Sequence, residues 1–326
     1  MALRTAICDL LSVEHPVGNA GMAGVAHARL CAAVAEAGGI GSIAMGGASA
    51  IEVAERVATV KAMTDRPFNA NFIAWLIEND SSPLDAALEA GVASITLSFG
   101  DPEPYVDRVR AAGSLLFNQV QTVEGARRSA AVGVDVIIAQ GNDAGGHTGV
   151  MPLLPFLPQV VDVAGDVPVL AAGGIGDGRG LAAVLMLGAQ GALMGTRFIV
   201  SDEAESDWPL LPDQVLAASA DDSVWTTAID IAQGGGRSPW PQGIGARSIR
   251  TRWLERWAGH EDELAGLLAD DRDADHAEGS DPTPAYAGPV SGMLTQHEPA
   301  ARIITSVMEE AADVLESGRR LLTRQD

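Results

Sequence analysis

Short apolar runs alternate with longer Ala-rich stretches along the first 200 residues, and each run ends in glycine or a polar residue. Eight runs, which we predict to be strands, span residues 17–19, 41–44, 68–73, 94–98, 115–119, 134–140, 167–171 and 191–194. The stretches after them, which we predict to be helices, span residues 26–37, 50–63, 83–90, 104–112, 122–132, 154–164 and 177–187. Strands that alternate with helices in this way are typical of parallel βαβ units.

The number of these units favours one architecture. The run 134–140 is almost continuously apolar, as expected for a strand that helices cover on both faces of its sheet. A doubly wound sheet has a similar local pattern, but eight units are what a (β/α)8 TIM barrel requires. No dinucleotide fingerprint follows the first strand. We therefore predict an α/β fold with a (β/α)8 TIM barrel over residues 1–200.

The pattern changes after residue 201. Helices are predicted at residues 213–220, 248–257 and 300–322, a Gly- and Pro-rich loop at 234–241, and a solvated acidic segment at 270–281. We predict that residues 201–326 form an added C-terminal helical subdomain that covers the barrel mouth and includes the C-terminal helix. Four tryptophans of this part either cap a substrate pocket or anchor a small core, and the second interpretation is favoured: Trp225, Trp240, Trp253 and Trp257.

Charge and cysteine content narrow the classes of partner. Lys and Arg number 21 and Asp and Glu number 43, which gives a net charge of −22. Such a surface repels nucleic acid and anionic membranes, so we expect a small-molecule substrate. The two cysteines form no disulfide framework and no metal quartet, and we expect no metal. The absence of a signal peptide and of a long apolar run predicts a cytoplasmic protein, and a homo-oligomer stays open.

Two glycine-containing loops favour an anion site. Gly173 and Gly174 follow the seventh predicted strand, and Gly195 and Thr196 follow the eighth. In TIM barrels a phosphate often lies between these two loops, because backbone N–H groups approach an anion closely there. The glycines at 174–180 do not fit the spacing of a dinucleotide fingerprint. The pair of loops therefore predicts a mononucleotide such as FMN, or a phosphorylated substrate.

Three further segments carry polar or small residues at predicted strand ends. The segment 140–149 after the sixth strand has a carboxylate, two amides and His147, which we take as a functional candidate on a flexible loop. The segment 19–24 after the first strand is small and contains Met22, which suits a wall against a planar ring. Asn69 and Asn71 interrupt the third strand at a period of two, so both point to one face.

Together these segments resemble the nitronate monooxygenase (2-nitropropane dioxygenase-like) family of FMN-dependent TIM-barrel enzymes, and the helix at 300–322 is similar to that family's C-terminal helix. The resemblance implies non-covalent FMN and a flavoprotein oxidoreductase that oxidises alkyl nitronates, or a related small substrate, with O2. It also implies the FMN-binding residues, which are Ala20, Gly21, Met22, Asn71, Gln119, Gln140, Gly145, Gly173, Gly174, Leu193, Met194, Gly195 and Thr196.

One position departs from the family pattern. Well-studied members carry a histidine before Phe-Gly at the end of the fourth strand, as the catalytic base. Here Ser98 takes that place before Phe99 and Gly100. Serine is a poor base near neutral pH without an activating partner. The catalytic candidates are therefore His147 and Ser98, and we expect slow oxidation of nitronates and no turnover of neutral nitroalkanes.

Two other functions stay open from the sequence. The first is an FMN reductase of quinones or enoyl thioesters that uses NAD(P)H as co-substrate, in which a nicotinamide stacks on the flavin. The second is a barrel without catalytic activity that binds a phosphate-bearing ligand. Rapid bleaching of the flavin by NADH or NADPH favours the first, and a colourless purified protein favours the second.

Overall fold

The computed structural model describes residues 3–270, 283–318 and 320. Residues 271–281 of the predicted acidic segment, and residues 319, 321 and 322 of the helix predicted at 300–322, lie outside this range. Among the described residues, no helix is both long enough and apolar enough to cross a membrane. No group of three or more His, Cys, Asp or Glu residues among them is placed to hold a metal ion.

Eight parallel strands form the main sheet, which confirms the predicted TIM barrel. The barrel strands are β1 (Val17–Asn19), β2 (Gly41–Ala44), β3 (Phe68–Ile73), β4 (Ser94–Ser98), β5 (Leu115–Val120), β6 (Val136–Gln140), β8 (Val169–Ala172) and β9 (Gly191–Met194). Their order around the barrel is β1-β9-β8-β6-β5-β4-β3-β2. Their side chains are buried almost throughout, as expected for strands covered on both faces.

The barrel closes between β1 and β2 through a short contact. Gly18 and Ile40 form a single parallel bridge, and the amide side chain of Asn19 extends it. Asn19 Oδ1 accepts the Ser42 backbone N–H at 2.9 Å, while Asn19 Nδ2 donates to the Ser42 carbonyl at 2.7 Å. A Cβ atom on Gly18 would overlap the Ile40 carbonyl oxygen. Only glycine allows the two backbones to approach this closely.

Seven helices follow strands as the sequence pattern indicates: α2 (Ala28–Glu36), α3 (Ala50–Met63), α4 (Ser82–Glu89), α5 (Val106–Ala111), α6 (Val123–Val132), α7 (Leu153–Ala164) and α8 (Gly178–Met186). The start of α3 shows how the sequence fixes such a boundary, because Ser49 and Glu52 form a reciprocal capping box. The N-terminal helix is not indicated by the sequence pattern. Helix α1 (Ala6–Leu11) buries Ile7, Cys8 and Leu11 among barrel-interior side chains and closes the floor.

The C-terminal helix α14 (Ala300–Gly318) completes the outer ring of the barrel, after the short α9 (Thr196–Ile199). It packs between α8 and α2. The contact with α8 is so close that a Cβ on Gly178 would overlap the backbone nitrogen of Ala311. The structure therefore differs from the division predicted at residue 201, because this helix belongs to the barrel and not to an added subdomain.

Residues 201–298, which we call the insertion, leave and re-enter the barrel at one point. Ser201 and Glu298 pair with each other, and Arg197 forms an ion pair with Glu298. The insertion contains α10 (Leu211–Ala217), β10 (Ser223–Thr226), α11 (Ala228–Gln233), β11 (Gly245–Ile249), α12 (Arg252–Trp257) and α13 (Glu261–Asp270). It is thus not purely helical, and the predicted helix 248–257 is wrong at its start, where β11 pairs with β10.

Candidate active site

A large cavity opens at the carboxyl ends of the barrel strands. Its volume is about 1300 Å³, which includes the solvent at its open mouth. The structure brings every predicted site residue to its wall, although their roles stay predictions: Ala20, Gly21, Met22, Asn71, Ser98, Gln119, Gln140, Gly145, His147, Gly173, Gly174, Leu193, Met194, Gly195 and Thr196. Small-molecule sites in TIM barrels lie at this end of the fold.

The segment that carries His147 is held as a strand and is not the flexible loop that the sequence predicts. Residues Gly146–Thr148 form β7, which pairs with β11 of the insertion and places His147 opposite Ala246. On the barrel side, Gln140 Nε2 donates to the His147 carbonyl at 3.1 Å. Glycine-rich sequence alone does not reveal β7, because its partner strand lies about a hundred residues later in the chain.

A buried carboxylate fixes the imidazole of His147. Nε2 lies 2.7 Å from Asp230 Oδ1, and Asp230 is fully buried while the His147 side chain is 12% exposed. A hydrogen bond to an ionised carboxylate requires the proton on Nε2, which leaves Nδ1 as the basic nitrogen. The same carboxylate stabilises the imidazolium that forms when Nδ1 takes a proton. The pair is therefore built to accept and return a proton.

Asp230 is not among the residues predicted from the sequence. A signal for it does exist, because Asp230 interrupts the apolar stretch 228–232 and lies in α11 among buried neighbours. A carboxylate in such a stretch needs a partner in the folded protein. In the structure Oδ1 has His147 as its partner, and Oδ2 has no hydrogen-bond partner among the described residues.

Ser98 contacts an amide. Its hydroxyl donates to Asn71 Oδ1 at 3.1 Å, and Asn71 Nδ2 donates to the Gly21 carbonyl at 3.3 Å. Ser98 is 2% exposed. The hydroxyl therefore orients the Asn71 amide at the cavity wall. A catalytic role for Ser98 stays a prediction that this geometry does not favour.

The two glycine loops form one end of the cavity. Gly173 and Gly174 have φ values of 101° and 70°, in the region that glycine adopts without strain. Thr196 Oγ1 accepts the Gly288 N–H at 2.9 Å, so its own hydroxyl proton is available to a ligand. The Asp143 carboxylate lies beside Gly174 and accepts the Leu153 N–H at the start of α7, where the helix N-terminus stabilises its charge.

The donors along the cavity fit an FMN molecule. Backbone N–H groups and the Thr196 hydroxyl at the glycine end suit a phosphate. Farther along, the amides of Asn71, Gln119 and Gln140 alternate with the apolar Ala20 and Met22, as a heteroaromatic ring with polar edges requires. A Cβ on Gly21 would overlap Asn71. The wall therefore depends on the absence of a side chain at this position.

Four aromatic side chains line the cavity around His147, which we call its aromatic end, and form what we call the aromatic roof: Phe99, Trp208, Trp240 and Tyr286. Trp240 stacks on His147 with ring centroids 3.6 Å apart and an interplanar angle of 16°. Phe99 meets Trp240 edge-on at 5.1 Å and 83°. Phe99 has a φ of 61°, a backbone conformation that costs a side-chain-bearing residue about 1–3 kcal/mol.

The rest of the aromatic roof comes from distant parts of the insertion. Tyr286 lies 5.6 Å from the His147 ring and meets Trp208 edge-on at 5.9 Å. Burial raises the pKa of Tyr286, and the charge of Asp230 raises it further. The phenol is therefore neutral over the whole physiological range and remains a hydrogen-bond donor.

The sequence leaves two interpretations of the four predicted tryptophans, a pocket cap or a core anchor, and each applies to some of them. Trp253 and Trp257 are 1% and 2% exposed and belong to the core of the insertion. Trp240 lines the cavity, so the core interpretation is wrong for this residue. Trp225 contacts neighbouring residues of the β10–β11 pair, where a Cβ on Gly245 would lie 2.7 Å from its ring.

Comparison with known proteins places these features in a family. The family model described as nitronate monooxygenase matches residues 4–310. A Mycobacterium tuberculosis protein named (3aS,4S,5R,7aS)-5-hydroxy-7a-methyl-1-oxo-octahydro-1H-indene-4-carboxyl-CoA dehydrogenase is 37% identical over 78% of this chain and 69% of its own length. A probable nitronate monooxygenase of Staphylococcus saprophyticus is 29% identical over 97% and 99% of the two chains.

Among solved structures, FabK from Thermotoga maritima superimposes with a TM-score of 0.84. It is 29% identical, and the match covers 98% of this chain and 100% of that one. The match extends across the insertion as well as the barrel, since it leaves almost none of either chain out.

Proposed function

The chain belongs to the nitronate monooxygenase family and is an oxidoreductase, and on that premise we propose that it holds FMN in this cavity and oxidises alkyl nitronates, or a related small carbon acid, with O2. A carbon acid is here a compound whose C–H bond is acidified by a neighbouring nitro or carbonyl group. The observation that carries the proposal is the pairing of His147 with the buried Asp230 beside the predicted flavin site.

Different residues of the chain would bind the phosphate and the ring system of FMN. The loops at Gly173–Gly174 and Gly195–Thr196 would hold the FMN phosphate through backbone N–H groups and one hydroxyl. The amides of Asn71 and Gln140, both fixed by hydrogen bonds, would face the polar edge of the ring system. FMN bound there would supply the redox chemistry between the substrate and O2.

His147 moves the proton. Its Nδ1 would take the proton from the carbon next to the nitro group of a neutral nitroalkane, while Asp230 stabilises the imidazolium that forms. With a nitronate that is already ionised, the imidazolium would instead donate a hydrogen bond to the nitronate oxygens. The pair thus offers a base that Ser98 does not, and we now expect turnover of neutral nitroalkanes as well.

A specific observation favours a second candidate. The Mycobacterium relative is named a dehydrogenase of a ring-bearing acyl-CoA, whose thioester also acidifies the adjacent C–H bond. The same proton transfer at His147 would then serve a thioester oxidoreductase with NAD(P)H or NAD(P)+ as redox partner. Because the chain belongs to a family of enzymes, the other alternative, a barrel that binds a phosphate-bearing ligand without catalysis, is not retained. The charge of −22 and the unpaired Cys8 and Cys31 support a small-molecule substrate and a reducing, cytoplasmic setting.

Cofactor release and anaerobic reduction test the proposal. Denaturation of the purified yellow protein should release FMN. Under anaerobic conditions, ethyl nitronate and nitroethane should both bleach the flavin, and oxygen should restore its colour. Release of FAD contradicts the phosphate assignment. Bleaching by NADH or NADPH, with none by either nitro compound, rejects nitronate oxidation in favour of the thioester candidate.

A further inference from the structure

We propose that Trp240 determines the substrate class of this site, by selecting substrates that carry an apolar ring next to the reacting carbon over substrates with a short chain there. The inference rests on the proposed function only in taking the cavity beside His147 as the place where substrate binds. It concerns the indole of Trp240 together with Phe99, which lie outside the residues predicted to bind the cofactor.

The directions from which a substrate reaches His147 are restricted. Nε2 is held by Asp230, and one face of the imidazole is covered by the indole of Trp240 at 3.6 Å. The reacting carbon must therefore approach Nδ1 along the edge of the stacked pair. In that approach the substituent on the reacting carbon lies beside the indole. Ring systems gain more from such an aromatic surface than short chains do, through both buried area and ring–ring geometry.

The indole is held in place from two sides. Phe99 and Trp75 both meet Trp240 edge-on, with ring centroids 5.1 and 5.4 Å away and interplanar angles of 83° and 79°. The left-handed backbone of Phe99 and the close approach of Gly100 to Ala74 direct the Phe99 ring to this contact. A strained residue that is packed against a cavity wall is a common feature of functional sites.

The loop that carries Trp240 is also rigid at its tip. Pro239 and Pro241 flank Trp240, and each proline fixes its own φ. The backbone N–H of Trp240 donates to Ser238 Oγ at 3.2 Å, and the backbone N–H of Ile244 donates to the Pro241 carbonyl at 3.1 Å. An aromatic wall that is ordered before the substrate binds loses little conformational freedom on binding, which favours affinity.

The electrostatics of this end agree with an apolar group. The carboxylate of Asp143, which also lines the cavity, lies beside Gly174 at the glycine end. The aromatic roof contributes rings, a neutral phenol and indole N–H groups. A charged substituent next to the reacting carbon would therefore lose its hydration without gaining an ion-pair partner from the roof.

Substitution of Trp240 tests the inference with two nitronates that share the reacting group. Their substituents differ, since one derives from nitroethane and the other from phenylnitromethane. Trp240→Ala should lower the ratio of kcat/KM for the phenyl compound to kcat/KM for ethyl nitronate about tenfold, mainly through a higher KM for the phenyl compound, on the scale of one lost aromatic contact. The ratio is the quantity compared because Trp240 stacks on His147, so the variant also changes a contact of the proposed base. Trp240→Phe should retain part of the preference, and Trp225→Phe, a tryptophan of the insertion outside the cavity, should retain all of it.

Binding of nitrobenzene gives a second measurement that needs no turnover, because this compound has no proton on the carbon next to the nitro group. Its Kd, measured by isothermal titration calorimetry, should rise about tenfold in Trp240→Ala and stay unchanged in Trp225→Phe. If the parent protein oxidises neither nitronate, the proposed function fails and nitrobenzene binding still decides the role of Trp240. Equal losses with both nitronates, or an unchanged Kd for nitrobenzene, overturn the inference.

Discussion

The two ends of the cavity are built in different ways. At the glycine end, the wall is backbone: Gly173, Gly174 and Gly195 come from turns directly after barrel strands, and Thr196 adds one hydroxyl. At the aromatic end, the wall is made of side chains, and most of them come from the insertion. The glycine end requires residues without a side chain, whereas the aromatic end requires particular aromatic side chains that pack against one another.

This difference separates two functions within one cavity. A backbone wall binds a phosphate by geometry that few substitutions can imitate, so it suits a cofactor shared by a whole family. A wall of side chains can be altered residue by residue while the barrel stays the same, so it suits a substrate that varies between relatives. Changes at the glycine end should therefore affect cofactor affinity, and changes near the roof should affect turnover and substrate choice.

The largest effect is expected at His147, which packs against the aromatic roof. His147→Ala should lower kcat/KM for neutral nitroethane by about 10²–10⁴-fold, the usual contribution of a positioned acid or base. FMN content should stay near that of the parent protein. Asp230→Asn should lower activity less, because the ring stays in place while the imidazolium loses its stabilising charge. A loss below threefold in His147→Ala would remove this residue from the reaction.

The next effect tests the backbone wall alone. Gly174→Val introduces a branched side chain at a φ of 70°, with its Cβ 3.0 Å from the Cβ of Asp143. Displacing the phosphate from two or more N–H groups, at roughly 1.5–3 kcal/mol each, should weaken FMN binding more than about 100-fold. Equilibrium dialysis of the refilled protein measures this Kd. Substrate preference in the fraction that still holds FMN should match that of the parent.

A smaller effect is expected at Thr196, which contributes a side chain to the same wall. Thr196→Val removes a hydroxyl that accepts the Gly288 N–H and is free to donate to the phosphate. Loss of one charged hydrogen bond, roughly 1.5–3 kcal/mol, should weaken FMN binding about 10- to 100-fold. Thr196→Ser keeps the hydroxyl and should bind FMN within threefold of the parent. Weaker FMN binding in Thr196→Ser than in Thr196→Val would show that the methyl group, and not the hydroxyl, matters.

The smallest effect is expected at Ser98. Ser98→Ala removes a hydrogen bond to the Asn71 amide. A neutral hydrogen bond contributes about 0.5–1.5 kcal/mol, so kcat/KM should fall no more than about tenfold. Oxygen consumption with nitroethane measures the change. A fall comparable with that of His147→Ala would restore Ser98 as a catalytic residue and weaken the case for the Asp230 pair.

The glycine end of the cavity can be predicted from the sequence better than the aromatic end, for a physical reason. The barrel strands and the glycine loops follow from local periodicity and from turns that immediately follow a strand, so Gly174 and Thr196 can be placed from neighbouring residues. The contacts of His147 with Asp230 and Trp240 join segments about 80 to 90 residues apart, and no local pattern fixes such pairs. Only Asp230, a carboxylate within an apolar stretch, is a local sign in the sequence that such a contact exists.

The position of α14 has a consequence for how the protein folds during synthesis. The ring of helices stays open between α8 and α2 until residues 300–318 leave the ribosome, so the whole insertion is made before the barrel can close. The contact of α14 with α2 joins the two ends of the chain, and such long-range contacts form late and slow folding. A nascent chain stalled at residue 298 should therefore expose the apolar faces of α2 and α8 and need protection from aggregation until its last helix docks.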